Sequence, residues 1–236
     1  MSILRKLFRA TPIPTTDGAF CPSPLAIKLG TSTTTDYDGG AYVKPYVGPK
    51  NRVLMICTEE RNMTMANGKK FSTGNHPVEM GLPMLHLMNA GFEIDIVTPT
   101  GAPVAIEEWA MPADDADVKR LYRDHADTFA NPGSLADFVA HKMNGAAPYA
   151  AVFIPGGHGA MLGLPDNKNV GEVLHWAYEQ DLFTLALCHG PAALLSAKTE
   201  KGFLYEGYKM TAFPDSVDKQ TPMIGYLPGP MPWWVC

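Results

Sequence analysis

Cys188 and His189 form the pair of neighbouring residues in this sequence with the clearest chemical potential. They follow the apolar run FTLAL and precede Gly-Pro and the helical pattern AALLSAK. This order predicts a buried strand, a tight turn and a helix, which places Cys188 at the carboxyl edge of a sheet, where open α/β folds bind ligands. The N–H groups at a helix start lower a thiol's pKa, so the pattern predicts a thiolate nucleophile. The alternative is a small buried residue at a tight turn.

Two carboxylates are candidates to assist this pair. A cysteine-histidine pair needs a third group to orient the imidazole, and the segment TAFPD offers Asp215. Pro-Asp is also common in turns, so Asp215 could be a helix cap instead. Glu79 follows the motif NHP in the first turn of a predicted helix. It is either a favourable charge at a helix start or a partly buried carboxyl that shares a proton with the thiol.

Gly156 and Gly157 end the neighbouring predicted strand in the motif FIPGGHGA. Their backbone N–H groups, with that of His189, are candidates for an oxyanion hole. A tight turn without a ligand is the alternative for a glycine pair.

His86, Glu93 and His125 provide the residue types of a site with two histidines and one carboxylate. Their spacing does not show that they converge. By spacing alone, surface or satisfied core positions are favoured, because sets of distant His and Glu residues arise easily by chance.

Composition narrows the class of protein. The 236-residue chain is 46% hydrophobic with a formal net charge of −5, which gives no basic surface for nucleic acid and no polybasic membrane patch. The four cysteines, Cys21, Cys57, Cys188 and Cys236, have no CxxC spacing, which favours a reducing compartment. Without a signal-peptide pattern or an apolar run of about 18 residues, we expect a soluble cytoplasmic protein.

Apolar strands alternate with helices along most of the chain, which predicts an α/β fold with a parallel sheet covered on both faces. Residues 1–50 are rich in Thr, Gly, Pro and Asp and are predicted to form an N-terminal arm, with the α/β core at 51–236. Residues 103–145 interrupt the alternation as an insertion or cap, with a helix starting at Ser134. The predicted strands are 52–57, 92–97, 149–154 and 183–187, and the main predicted helices are 78–88 and 170–178.

Several ordered motifs resemble a known family: GKKFSTGNHPVE, HLMNAGFE, EEWAMP, YAAVFIPGGHGAMLGLP, LCHGPAALL and AFPDSVDKQTPMIGYLPG. From about residue 35 onward the chain resembles HchA-type heat-shock chaperones, which are also described as glyoxalase III and as protein/nucleic acid deglycases. These belong to the PfpI-like superfamily, related to class I glutamine amidotransferase domains. The resemblance implies a flavodoxin-like sandwich with a smaller cap, assembled as a cytoplasmic homodimer. Family members continue for further elements beyond the position of Trp233 and Trp234, so C-terminal elements of the family are expected to be missing here.

The resemblance also implies residue roles. Cys188 matches the nucleophile, His189 its histidine, Asp215 the acid of the triad and Glu79 the glutamate beside the thiol. Three further residues match the family's zinc ligands, namely His86, Glu93 and His125. Catalysis is then expected to need no cofactor, with zinc in a structural or modulating role.

The function expected from the resemblance is cysteine-dependent conversion of methylglyoxal and glyoxal, or removal of their early adducts from proteins and nucleotides, with a link to stress response and DNA repair. A holding chaperone in which Cys188 is dispensable is an alternative that can coexist with it. A peptidase or amidotransferase is permitted by the superfamily. The amidotransferase is disfavoured because no His-x-Glu pair follows Cys188, and the peptidase because a cap would block an open groove.

Overall fold

The computed structural model describes residues 9–42, 44–143 and 148–232. The start of the predicted arm (1–8), the end of the predicted insertion (144–145) and the pair Trp233 and Trp234 lie outside the described residues. The central sheet has five strands in the order β7-β6-β3-β8-β9, and every neighbouring pair is parallel. The strands are β1 Ile13–Pro14, β2 Phe20–Cys21, β3 Arg52–Ile56, β4 Asn62–Thr64, β5 Lys70–Ser72, β6 Glu93–Thr98, β7 Gly133–Ser134, β8 Tyr149–Ile154, β9 Phe183–Ala186, β10 Lys198–Thr199 and β11 Gly202–Phe203.

Helices cover both faces of this sheet. The α-helices are α1 Pro24–Gly30, α2 Pro77–Asn89, α3 Ala116–Asp124, α4 Ala126–Ala130, α5 Leu135–His141, α6 Lys168–Glu179 and α7 Asp215–Asp218. Short 3₁₀ helices occupy Glu108–Ala110, His158–Met161, Gly190–Ala197 and Thr221–Met223.

The alternation of side chains along β3 explains the two layers. Val53 and Met55 pack with apolar residues of α2 and α3, whereas Leu54 and Ile56 pack with those of α5 and α6. Successive side chains of a strand point to opposite faces, so an uninterrupted apolar strand can only be buried between two helical layers. The predicted α/β fold with a mostly parallel sheet is thereby confirmed.

A second, smaller sheet has the order β1-β2-β5-β4 and joins the N-terminal segment to residues 62–72. In this segment Ser23 caps α1 by accepting a hydrogen bond from the Ala26 N–H, and its hydroxyl donates to the Ile224 carbonyl at 2.7 Å. The described part of residues 1–50 therefore contains regular elements that sequence periodicity did not reveal. These contacts tie it to the chain near residue 224.

Several predicted boundaries shift when the structure is compared with the sequence. The strand at 149–154 is confirmed to the residue, and Ser134 caps α5 as predicted. The helix expected after Cys188 is instead the 3₁₀ helix Gly190–Ala197. Within the described part of 103–145, β7 pairs with β6 and so extends the central sheet. Among the described residues, none of the helices is both long and apolar enough to cross a membrane.

Candidate active site

Cys188 lies in a strained turn directly beyond β9. Its φ is +53°, a left-handed conformation that is uncommon for a residue with a side chain. The turn is held by hydrogen bonds from the Gly190 N–H to the Leu187 carbonyl and from the Phe213 N–H to the Cys188 carbonyl, at 2.6 and 2.8 Å. A Cβ atom on Gly190 would approach the Ile154 carbonyl oxygen to 2.7 Å, so only glycine fits there. Strain of this kind at a strand-to-helix turn is typical of a presented nucleophile.

His189 connects the thiol to a buried carboxylate. Its Nδ1 lies 3.3 Å from Cys188 Sγ, and its Nε2 lies 2.9 Å from Asp218 Oδ2. The other oxygen of Asp218 lies 3.1 Å from His158 Nε2. An ionised carboxylate only accepts hydrogen bonds, so both imidazoles donate from Nε2 to Asp218. His189 Nδ1 is then left with a lone pair that faces the sulfur, which is the arrangement of a base.

The charge of Asp218 is stabilised by these two histidines. Burial by itself would raise the pKa of Asp218, but the hydrogen bonds from His158 and His189 together lower it well below its usual range. Asp218 therefore stays ionised and fixes the tautomer of His189.

Asp215, the acid assigned from the sequence, is not brought to His189. Its side chain is 47% exposed and pairs with Lys219 at 2.5 Å, whereas that of Asp218 is 5% exposed and bonded to both histidines. The motif FPDSVD contains both acids three residues apart, and spacing does not distinguish them. Only the packing of α7 against His158 and His189 does so.

Glu79 lies beside the thiol, in the first turn of α2. Burial raises the pKa of Glu79, and burial together with the charge and hydrogen bond of Glu79 raises the pKa of Cys188 to about 12. The N–H groups of Gly157 and His189 act in the opposite direction and do not outweigh them. The expectation that the thiol pKa lies below its free value is therefore corrected. That Glu79 shares a proton with the thiol stays a prediction, and the raised pKa of both groups supports it.

Replacing Glu79 by glutamine should separate thiol acidity from turnover. Loss of the negative charge should lower the pKa of Cys188, so that alkylation of this residue by iodoacetamide at neutral pH becomes faster, about tenfold for each unit of pKa. Conversion of a carbonyl substrate should instead slow about 100-fold or more, because the proton acceptor is gone.

Peptide mapping of Cys188 across a pH series would measure the first effect, and a substrate assay the second. The exposed Glu108→Gln is the matched control and should change neither. Slower alkylation of Cys188 in Glu79→Gln would contradict the assignment of Glu79.

At Gly156 and Gly157 the backbone lies so close to neighbouring atoms that a side chain would not fit. A Cβ on Gly156 would lie 1.8 Å from Glu79 Oε2 and 2.6 Å from Cys188 Cβ. Gly157 has φ of +100°, and its Cβ would lie 2.4 Å from the Gly74 carbonyl oxygen. The backbone N–H groups of Gly157 and His189 lower the pKa of Cys188, which is the effect expected of donors that stabilise negative charge. The oxyanion role of Gly156, Gly157 and His189 stays a prediction.

A cavity of about 300 Å³ opens over Cys188. Apolar side chains from the N-terminal segment and the C-terminal part of the described chain form one side of it, including Leu29, Phe213, Ile224 and Tyr226. The N-terminal segment thus contributes directly to the site.

Three polar residues that line this cavity were not identified from the sequence: His158 and Glu107, which are buried, and His76, which is partly buried. Burial lowers the pKa of His76 to about 4 and that of His158 below its usual value, whereas it raises the pKa of Glu107 to about 8. His76 and Glu107 belong to the motifs NHP and EEWAMP, and His158 belongs to GGHG. These motifs are among those that carry the family resemblance. Nothing in their spacing marked them as neighbours of Cys188.

The three side chains expected to bind zinc are not gathered at one point. Glu93 pairs with Arg52 at 2.9 Å, His86 Nδ1 faces the Tyr42 hydroxyl at 3.3 Å, and His125 packs near Phe129. Within ranges 9–42, 44–143 and 148–232, the sole group of three ligand-type residues with donor atoms within 4.8 Å is His158, His189 and Asp218. That group is already satisfied by its own hydrogen bonds. The donor atoms of His86, Glu93 and His125 are therefore not all within 4.8 Å of one another.

Comparison with known proteins supports a family relationship. The model of the DJ-1/PfpI family matches residues 71–223. Protein/nucleic acid deglycase HchA from Escherichia coli O1:K1 / APEC is 48% identical over 218 residues, which covers 92% of this chain and 76% of that protein. The protein of the same name from Shigella flexneri is 47% identical with the same coverage.

Solved structures agree on the fold. The Rapid Encystment Protein 24 KDa of Francisella tularensis superposes with a TM-score of 0.63 at 24% identity, over 76% of this chain and 77% of that one. Glyoxalase III from Candida albicans superposes with a TM-score of 0.57 at 23% identity, over 78% and 84% of the two chains. At these identities the likeness concerns the fold alone.

Proposed function

The chain belongs to the DJ-1/PfpI family, and from that premise we propose that it is a cysteine-dependent enzyme acting on small 1,2-dicarbonyl compounds and their early adducts. The observation that carries this proposal is the strained Cys188, contacted by Glu79 on one side and by the His189–Asp218 pair on the other. The relatives that are 47–48% identical to this chain are named protein/nucleic acid deglycases, which supports the same chemistry.

For methylglyoxal, the first step is addition of the Cys188 sulfur to the aldehyde carbon while the thiol proton passes to Glu79. Glu79 returns this proton to the aldehyde oxygen, which gives a neutral hemithioacetal. The regenerated carboxylate then removes the proton on that carbon and returns it to the neighbouring carbon. In the same isomerisation the hydroxyl proton of the hemithioacetal moves to the second carbonyl oxygen, which gives a thioester of lactate.

Hydrolysis completes the cycle. His189 Nδ1, oriented by Asp218, removes a proton from a water molecule that attacks the thioester carbon. The carbon-sulfur bond breaks, the thiol is regenerated and lactate leaves, so one water molecule is consumed for each methylglyoxal. The N–H groups of Gly157 and His189 stabilise negative charge on the oxygen during addition and hydrolysis.

Early glycation adducts can enter the same sequence. When the aldehyde carbon already carries an amine or thiol of a protein or nucleotide, addition of Cys188 displaces that carrier, which leaves with the proton from Glu79. Glycated proteins and nucleotides are therefore proposed substrates, and a contribution to DNA repair follows from the second. The homodimer, the cytoplasmic location and zinc binding stay predictions from the resemblance.

The direct test is product analysis. Methylglyoxal incubated with the protein in the absence of glutathione should give lactate, detected by proton NMR. An absence of lactate, together with unchanged methylglyoxal, would overturn the proposed enzyme.

A second candidate function, holding of unfolded chains, is favoured by one surface. In the described sheet β9 is the last strand, and beside it lie the exposed apolar side chains of Tyr178, Phe183, Tyr208 and Met210 around a cavity of about 620 Å³. We call these four residues the edge surface. Exposed apolar side chains grouped in this way suit an apolar segment of an unfolded chain.

Replacing Phe183, which is 74% exposed, by lysine should weaken suppression of client aggregation without changing methylglyoxal turnover. Val47→Lys, at an exposed apolar residue outside the edge surface, is the matched control. Light scattering of a heat-denatured client measures the effect, and equal suppression by both variants would exclude the edge surface.

A further inference from the structure

Glu107 is a buried carboxyl group for which the reaction described above has no use. It is 1% exposed and immediately precedes the 3₁₀ helix Glu108–Ala110. Its Oε1 accepts hydrogen bonds from Thr73 Oγ1 at 2.7 Å and from the His158 N–H at 3.3 Å. Its Oε2 is buried and has no partner among the described residues. A buried carboxyl oxygen without a partner costs free energy, so it calls for a functional explanation.

The side chain of Glu107 lines the same cavity of about 300 Å³ as Cys188, Glu79 and His189. Because Oε1 already accepts from two donors, Oε2 is the oxygen of Glu107 that remains without a partner among the described residues. His76, which also lines the cavity, has an unpartnered Nδ1 among the described residues. Two buried polar atoms of residues that line this cavity, Glu107 Oε2 and His76 Nδ1, therefore have no hydrogen-bond partner among the described residues.

The protonation state of Glu107 decides what it offers. Burial raises its pKa to about 8, so the group is largely neutral at neutral pH. The two donors at Oε1 favour the proton on Oε2, where it can be donated. The titratable groups around it do not supply a stabilising cation, because burial lowers the pKa of His76 and of His158, and the charge of Glu79 opposes ionisation.

We propose that Glu107 is a substrate-contacting residue that donates a hydrogen bond from Oε2 to the second carbonyl oxygen of a 1,2-dicarbonyl bound at Cys188. This inference rests on the proposed function and names the feature that selects its substrate class. When the proton on the aldehyde carbon is removed, negative charge develops on that second oxygen. A neutral acid in a buried site stabilises such charge more in the transition state than in the ground state, which speeds the step. A monoaldehyde lacks this oxygen and gains nothing from Glu107.

Two substitutions separate donation from mere packing. Glu107→Gln places an N–H donor at the position of Oε2 while its oxygen still accepts from Thr73 and His158, so turnover at neutral pH should stay within about threefold of the parent. Glu107→Ala removes the donor and should lower kcat about 100-fold. Glu108→Gln, an exposed neighbour, is the control and should match the parent.

The pH profile provides a second readout. The parent should lose kcat above about pH 8 as Glu107 gives up its proton, because an ionised carboxylate cannot donate and repels the developing charge. Glu107→Gln should lack this alkaline loss. A Gln variant as inactive as the Ala variant, or one with the parental alkaline loss, would overturn the proposal.

Reversible capture by Cys188 tests selectivity without turnover. Protection of Cys188 from iodoacetamide should be weaker for methylglyoxal in Glu107→Ala than in the parent, whereas protection by propanal should be equal in both. Equal propanal protection also demonstrates that the variant's site is folded. If the parent makes no lactate, the proposed function fails. If the parent makes lactate but Glu107→Ala behaves as the parent, only the role of Glu107 fails.

Discussion

Replacing Cys188 by alanine should abolish lactate formation from methylglyoxal, with a loss of at least about 1000-fold in kcat/KM. The reason is that the covalent bond to the aldehyde carbon cannot form without the sulfur. Serine should fail almost as completely, since a hydroxyl group at the same place is a far weaker nucleophile. Lactate release measured by NMR or an enzyme-coupled assay determines the loss.

The control for this substitution is Cys57→Ala. Cys57 is fully buried, contacts Met80 and is not among the residues that line the cavity over Cys188, so its replacement should cost stability and leave turnover per folded molecule unchanged. Circular dichroism would establish that Cys188→Ala is folded. Near-parental turnover by folded Cys188→Ala would remove the covalent mechanism altogether.

The alanine variant also separates enzyme from chaperone. Holding an unfolded segment depends on apolar area at the edge surface, which lies apart from the cavity lined by Cys188. We therefore expect Cys188→Ala to suppress client aggregation as the parent does.

Replacing Asp218 by asparagine should produce the second large effect, a loss of about 1000-fold or more in kcat. Asparagine can donate as well as accept, so it no longer requires Nε2 of His189 to carry the hydrogen. In the tautomer with the hydrogen on Nδ1, the lone pair that faces Cys188 is lost. Asp215→Asn, three residues away, should change kcat less than about twofold, because Asp215 is half-exposed and pairs with Lys219. Steady-state kinetics on both variants decides between the two acids. A larger loss of kcat in Asp215→Asn than in Asp218→Asn would show that Asp215 is the acid of the triad, as the sequence predicted.

The same carboxylate links stability to pH. The pKa of Asp218 is lowered in the folded protein, so its contribution to stability is fully present above the unfolded pKa of about 3.9. That contribution is lost as the pH falls from there through the lower folded pKa. The free energy of unfolding should therefore fall less steeply in Asp218→Asn than in the parent as the pH is lowered below about 3.9.

By itself, the sequence determined the elements that carry the nucleophile. Continuous apolar runs at 52–57 and 149–154 can only be buried between two layers, so the parallel sheet followed from composition and order. The apolar run before Cys188 and the Gly-Pro after it placed the thiol at the carboxyl edge. The ordered motifs then assigned Glu79 and His189 to its neighbourhood, and the structure places both there.

Only the tertiary structure decided which groups meet and in what charge state. Asp215 and Asp218 are equivalent as sequence, and burial against His158 and His189 selects the second. The sign of the thiol's pKa shift depends on desolvation and on the charge of Glu79, neither of which is visible in a local pattern. His76 and Glu107 lie far from Cys188 along the chain but line the same cavity, while the expected zinc ligands do not converge. Local spacing predicts elements because it reflects short-range geometry, whereas burial and long-range contacts arise only when those elements pack together.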